Sequence, residues 1–263
     1  MFEAELGVGF FYYGPRLWMT GEIEPLKRLQ RVESRDDVID RVLREYGVTK
    51  LTNDDRFYRI RKCPRPPSDV AQYDSGPAKA PSGRLDAPQR PVLYASPDLQ
   101  TCIHECRVTA EDDLFVATLR PSSELNLLNV ATLLEEERGV DEFESLDLAI
   151  NMLFLAGKNS YPIAREIAWA ARRAGFDGLV YPSYFSMLRN GVKPIETTLG
   201  ISRRRIPQYR EFEASKTSWN LAVFGRPIQD GLIDVVCINR VVLSAVHYSV
   251  HFGPVVDDNQ NIS

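Results

Sequence analysis

YASPDLQTCIHECR, residues 94 to 107, sets a short strand against a helix, and the rest of the chain reads outward from it. Val92 to Ala95 is an apolar run that predicts a strand. Ser96 then falls at a helix N-cap, with Pro97 at the first helical position and Asp98 in the first turn. These are helix-start preferences, because Pro lacks only an N–H that the helix leaves unpaired anyway. Leu99, Cys102, Ile103 and Cys106 recur at i, i+3, i+4 and i+7 and form one apolar face. Glu105 lies on the shoulder of that face, where packing requires no carboxylate, and on pattern alone it reads as a solvated surface residue.

Upstream, Arg56 to Arg61 alternates as a strand that places Arg59 and Arg61 on one face and Ile60 on the other. The same pattern fits an edge strand with solvated arginines. Residues 63 to 91 hold seven of the 17 prolines and predict a long irregular segment, of the kind that carries function or mobility. Before it, Ser34 to Tyr46 predicts a capped helix with Val38, Ile39, Val42, Leu43 and Tyr46 on one face and Gly47 as its terminator. Residues 1 to 31 are aromatic-rich without a catalytic pattern, and residues 1 to 55 together read as an N-terminal extension packed on a main domain, 56 to 263.

Downstream, Leu114 to Leu119 and Leu125 to Val130 predict strands, and Ala131 to Arg138, Leu146 to Ala156 and Tyr161 to Ala174 predict helices. Asp177 to Tyr181 is a further strand, left through Pro182 and Ser183. Tyr184 to Ser218 has little periodicity and contains Arg203-Arg204-Arg205; it reads as a solvated loop or as a lid or docking surface over an anionic site. Leu232 to Cys237 and Val241 to Phe252 close the chain as two strands.

A chain of 263 residues can bury a full core, and 44% hydrophobic with 26% charged residues is ordinary for a globular protein. The net charge of −4 argues against a dedicated nucleic-acid binder. No run approaches the roughly 18 apolar residues of a membrane helix. Glu3 and Glu5 without a basic n-region predict no secretory signal, and Cys63, Cys102, Cys106 and Cys237 form no secreted disulfide framework, so the cytoplasm is the expected compartment. Cys102, His104 and Cys106 cannot share a tetrahedral metal, because on a helix His104 points away from the two cysteines. His247 and His251 lie about 13 Å apart by strand rise, Arg240 with His247 sits in a strand-like rather than helical context, and Gly7-Val8-Gly9 lacks the strand–turn–helix setting of a dinucleotide fingerprint. No metal or resident cofactor is expected.

Five segments in order carry a likeness. Phe57-Tyr58-Arg59, Ser82 to Pro88 (SGRLDAP), Tyr94 to Arg107, Gly178-Leu179-Val180-Tyr181-Pro182-Ser183 and Asn220 to Phe224 resemble the RES domain family, over roughly residues 56 to 228. The resemblance implies an α+β fold: an ADP-ribosyltransferase-like split β core with helices around a cleft, here with an N-terminal helical extension. It places the family arginine on Arg59, with Arg61 as the register alternative, the strand tyrosine on Tyr94, the glutamate on Glu105 and the serine on Ser183. The family's Gly-Gly-Arg-Trp-Asn segment falls on Ser82 to Asp86, where Ser82, Leu85 and Asp86 depart from it and Arg84 is retained. The implied activity is consumption of NAD⁺ as substrate, by hydrolysis or phosphorolysis, in a toxin restrained by an antitoxin with a helix-turn-helix domain. Glu105 would stabilise the ribosyl cation, Arg59 and Arg84 hold the pyrophosphate, Tyr94 stack on nicotinamide, and Ser183 and Asn220 contact the substrate. An ADP-ribosyltransferase acting on a macromolecule and a non-catalytic binding module are the competing readings, and homo-oligomerisation is left open.

Overall fold

The computed structural model describes residues 23–76, 83–137, 139–186, 190, 196–199 and 201–244. The aromatic run through Trp18, Gly7-Val8-Gly9, Ser82 and the stretch expected to end in strand at Phe252, with His247 and His251, lie outside the described residues. In chain order the elements are α1 (Glu24–Gln30), α2 (Val32–Glu45), β1 (Val48–Leu51), β2 (Phe57–Lys62), β3 (Val92–Ala95), α3 (Leu99–Glu105), β4 (Leu114–Pro121) and β5 (Leu125–Asn129). They continue with α4 (Leu146–Leu155), α5 (Tyr161–Arg173), β6 (Gly178–Pro182), β7 (Thr197–Thr198), β8 (Ile201–Ser202), α6 (Arg210–Ser215), β9 (Trp219–Phe224) and β10 (Ile233–Val241). The expected α+β class with a split β core is the architecture found.

Two sheets make the core. The larger has the order β1-β5-β6-β9-β3, and the smaller has β10-β4-β2. β5 and β6 pair in parallel, with α4 and α5 forming the crossover between them, and the other pairings are antiparallel. One face of the large sheet, with Leu128, Leu179, Ala222 and Phe224, packs on Leu26, Leu29, Val38 and Val42 of α1 and α2, Leu153 of α4 and Ile167 of α5. The opposite face, with Leu93, Leu127, Val180, Leu221 and Val223, packs on Phe57, Ala117 and Leu119 of the small sheet. Strand alternation divides each strand's residues between these two clusters. The extension before residue 56 thus contributes a strand to the large sheet and two helices to its core.

The two sheets touch where β2 meets β3 through the bridge between Tyr58 and Ser96. This bridge corrects the helix start. Ser96 is still paired as strand, and its Oγ donates to the Trp219 carbonyl at 3.0 Å. Asp98 caps α3 instead, its carboxylate accepting from the Gln100 and Thr101 N–H groups. The apolar face of α3 is as expected, with Leu99, Cys102, Ile103 and Cys106 packed with Ile60, Leu114 and Val116.

Other expectations are corrected by remote partners. The helix expected from Ser34 begins at Val32, because α1 runs directly into it, and the Ser34 Oγ donates to the Arg28 carbonyl instead of capping. No helix forms over 131–137. There Asn129 Oδ1 accepts from the Ala131 and Thr132 N–H groups, and the Glu136 carboxylate takes the N–H groups of Leu146 and Asp147 at the start of α4. The strand expected over 232–237 runs on through Val241 as β10, and most of the one expected over 241–252 lies outside the described residues.

Candidate functional site

A cleft of about 630 Å³ opens between β2 with α3, the end of the large sheet, and the turn joining α4 to α5. Arg59, Arg84, Tyr94, Glu105 and Asn220 all line it, and Ser183 lies fully buried behind Glu105. Glu105 is the last residue of α3, and it leans across to the large sheet. Its Oε1 accepts from the Ser183 hydroxyl and from the Asn220 side-chain amide, each at 2.6 Å. Ser183 is itself held: its N–H donates to the Ser218 carbonyl, and its hydroxyl accepts from the Phe185 N–H. Among the described residues Oε2 receives no hydrogen bond, so one oxygen is fixed and the other is left to the cleft. The surface residue suggested by helix pattern alone is therefore an anchored carboxylate.

Arg59 and Arg61 leave β2 on the same face, as alternation predicts, but they are not solvated. Arg59 is 6% exposed, donating to the carbonyls of Tyr94 (2.6 Å) and Asp74 (2.9 Å), while its Nε is buried with no partner among the described residues. Arg61 donates to the carbonyls of Gln72 and Asp74. Carbonyl oxygens orient a guanidinium without cancelling its charge. Burial, and then the neighbouring Arg61, push the Arg59 pKa down, and burial does the same to Arg61. An arginine keeps its proton regardless, so both remain cations held by carbonyl oxygens.

Arg84 is placed differently. It donates to the carbonyls of Leu153 and Ala156, at the C-terminus of α4, and to the Ser160 hydroxyl, with its guanidinium 4.9 Å from the Tyr161 ring centroid. Three of its five N–H groups are thus engaged, and burial lowers its pKa. It is a clamp on a helix end whose charge still reaches the cleft.

Tyr94 holds the loop that delivers Arg84. Its hydroxyl accepts from the Leu85 and Asp86 N–H groups at 2.7 and 2.9 Å and donates to the Asp86 carboxylate at 2.8 Å. Gly83 is required beneath it: an added Cβ would lie 2.6 Å from that hydroxyl and 2.7 Å from the ring. Burial, reinforced by Asp86, raises the Tyr94 pKa, so the phenol stays protonated. Asp86, which departs from the family asparagine, is the acceptor in this clasp.

Of the Tyr184–Ser218 segment, Tyr184 and Phe185 line the cleft, while the Arg203-Arg204-Arg205 run is tied to carboxylates away from it. Arg204 is buried in a bidentate pair with Asp147, Arg205 faces Glu136 and Glu142, and Arg203 meets Glu196. Sequence reasoning missed several lining residues: Lys158, Tyr161, Tyr181 and Phe185. Tyr181 alone carried a signal, because it stands two residues before Ser183 in a strand and so shares its face.

The RES domain family model matches residues 56–225. No curated protein matches the chain. Among solved structures, a chain of the crystal structure of the M. tuberculosis MbcT–MbcA toxin–antitoxin complex aligns at 13% identity and a TM-score of 0.44, covering 78% of this chain and 92% of that one.

Proposed function

The chain belongs to the RES domain family, and from that premise we propose that it cleaves the nicotinamide–ribose bond of NAD⁺, with Glu105 as the catalytic carboxylate. One observation carries the reading. Among the described residues Glu105 is the single carboxylate lining a cleft that also holds Arg59, Arg61, Arg84, Arg107 and Lys158. That balance suits a ligand with a polyanionic middle and one centre that becomes cationic.

The chemistry asks for little more. The C1′–N bond breaks with its electron pair going to the nicotinamide nitrogen, which neutralises the pyridinium, so the leaving group needs no proton. Positive charge grows on the ribose, and a fixed carboxylate beside it lowers the barrier because it needs no reorganisation. Ser183 and Asn220 keep Glu105 aimed. Water then adds to C1′ and gives up a proton, or phosphate adds in its place. Arg59 and the neighbouring Arg61, which both line the cleft, are the natural holders of the pyrophosphate. Arg84 adds charge to the field, while the Tyr94 ring offers a face for the nicotinamide.

An enzyme that drains NAD⁺ in the cytoplasm harms its own cell, so the family reading carries with it a role as a toxin and a protein antitoxin with a helix-turn-helix domain. Among the described residues no helix is long and apolar enough to cross a membrane.

The test is NAD⁺ incubated with the purified protein, with and without phosphate, following nicotinamide and the sugar product by mass. Nicotinamide release that disappears in Glu105→Gln is the expected result, and the sugar product names the acceptor. Wild-type-like release by a folded Glu105→Gln protein would overturn the assignment. Label transferred to a macromolecule would replace it with the transferase reading.

A further inference from the structure

Tyr181 is a cleft residue that the reaction above leaves without a task. It lies on β6 two residues before Ser183 and pairs directly with Asn220 on β9. Alternation and cross-strand pairing put the three side chains on one face of the sheet. Two of them donate to Glu105. The third packs its ring on Phe154, with centroids 5.7 Å apart, and lines the cleft while only 7% exposed. Among the described residues its hydroxyl has no hydrogen-bond partner.

The ring is buried on Phe154 and the hydroxyl opens to the cleft with no bond inside the fold, so a phenylalanine would fill the same space and pack as well. The oxygen is useful only if something that enters the cleft accepts from it. Burial, with Glu105 as the leading charge, holds the Tyr181 pKa well above the ordinary phenol value. The residue therefore stays an O–H donor through the neutral range. A phenol donor and a carboxylate acceptor lining one cleft match a vicinal diol, in which one hydroxyl gives its proton to the carboxylate and the other oxygen accepts from the phenol.

We propose that Tyr181 is a substrate-contacting residue that donates to one oxygen of the ribose diol while Glu105 Oε2 accepts from the other. The assignment rests on the NAD⁺ reading and names the sugar group by which the ligand is seated. It separates two tasks on one sheet face: Ser183 and Asn220 aim the carboxylate, and Tyr181 aims the ribose.

Tyr181→Phe tests it, because the ring and its packing on Phe154 are kept. The melting temperature should be unchanged or higher. Affinity for ADP-ribose and kcat/KM for NAD⁺ should each fall about tenfold, the size of one neutral hydrogen bond. On dinucleotides whose nicotinamide ribose is 2′-deoxy or 3′-deoxy, the deficit should vanish for one of the two. Wild-type-like ADP-ribose affinity and turnover in Tyr181→Phe, a deficit that persists on both deoxy analogues, or a lowered melting temperature would each overturn the proposal. If Glu105→Gln abolishes nicotinamide release and Tyr181→Phe changes nothing, this inference alone fails. If the wild type binds ADP-ribose in a Tyr181-dependent way but releases no nicotinamide, the reaction fails and the ribose contact stands.

Discussion

Two groups of buried arginines in this molecule have opposite surroundings. Arg204 is 7% exposed and meets Asp147 through two charge-assisted bonds of 2.7 and 3.0 Å. Burial alone would lower its pKa, but the attraction and hydrogen bonds of Asp147 outweigh that and raise it. Arg59 and Arg84 are equally buried, yet they are held by carbonyl oxygens, and burial lowers both. The first arrangement satisfies a cation within the fold and docks the 202–205 segment onto the start of α4. The second positions cations and leaves their charge to be answered by something else. Burial does not tell the two groups apart; the partner does.

The largest effect that would sharpen this contrast is at the closed pair. Asp147→Ala strands Arg204 in the core and should cost about 3–5 kcal/mol in urea unfolding, whereas replacing both partners together by Leu and Met should recover most of it. At the open site, Glu105→Gln should lower nicotinamide release by about 10²–10³-fold with little change in unfolding free energy. Inorganic pyrophosphate should stabilise the wild type, by about 2.7 kcal/mol at a hundred times its dissociation constant. Arg59→Met should lose that gain, and an Asp147→Ala protein that still folds should keep it. Pyrophosphate stabilisation that survives in Arg59→Met would break the comparison. The smallest effect is expected at the exposed rim: Lys158→Met should raise KM for NAD⁺ by about two- to fivefold, and added salt should shrink the difference.

What the sequence revealed was what depends on neighbours along the chain. The apolar face of α3, the alternation of β2 and the amphipathic run of α5 are local patterns, and each formed where expected. Where the sequence misled, a distant residue had taken the backbone or the charge. The local pattern predicts a helix around Glu136, but its carboxylate caps the start of α4 ten residues on. The Arg203–Arg205 run looked solvated or lid-like because its partners Asp147, Glu136 and Glu142 stand some 60 residues earlier. The site itself was the least visible part. Glu105 has no periodic signature, and it was singled out only through its likeness to a family; its donors Ser183 and Asn220 lie 78 and 115 residues away. The orphaned Arg59 Nε and the free Tyr181 hydroxyl have no signature in sequence, because a missing partner is a property of packing.

Those separations bear on how the protein is made. Glu105 receives one donor from β6 and the other from β9, and β9 is also the strand that joins β6 to β3 in the large sheet. While a ribosome is still short of residue 220, the nascent chain has neither the second donor nor the strand that closes the cleft against α3. Whatever the carboxylate does, it begins only after most of the described chain has been synthesised.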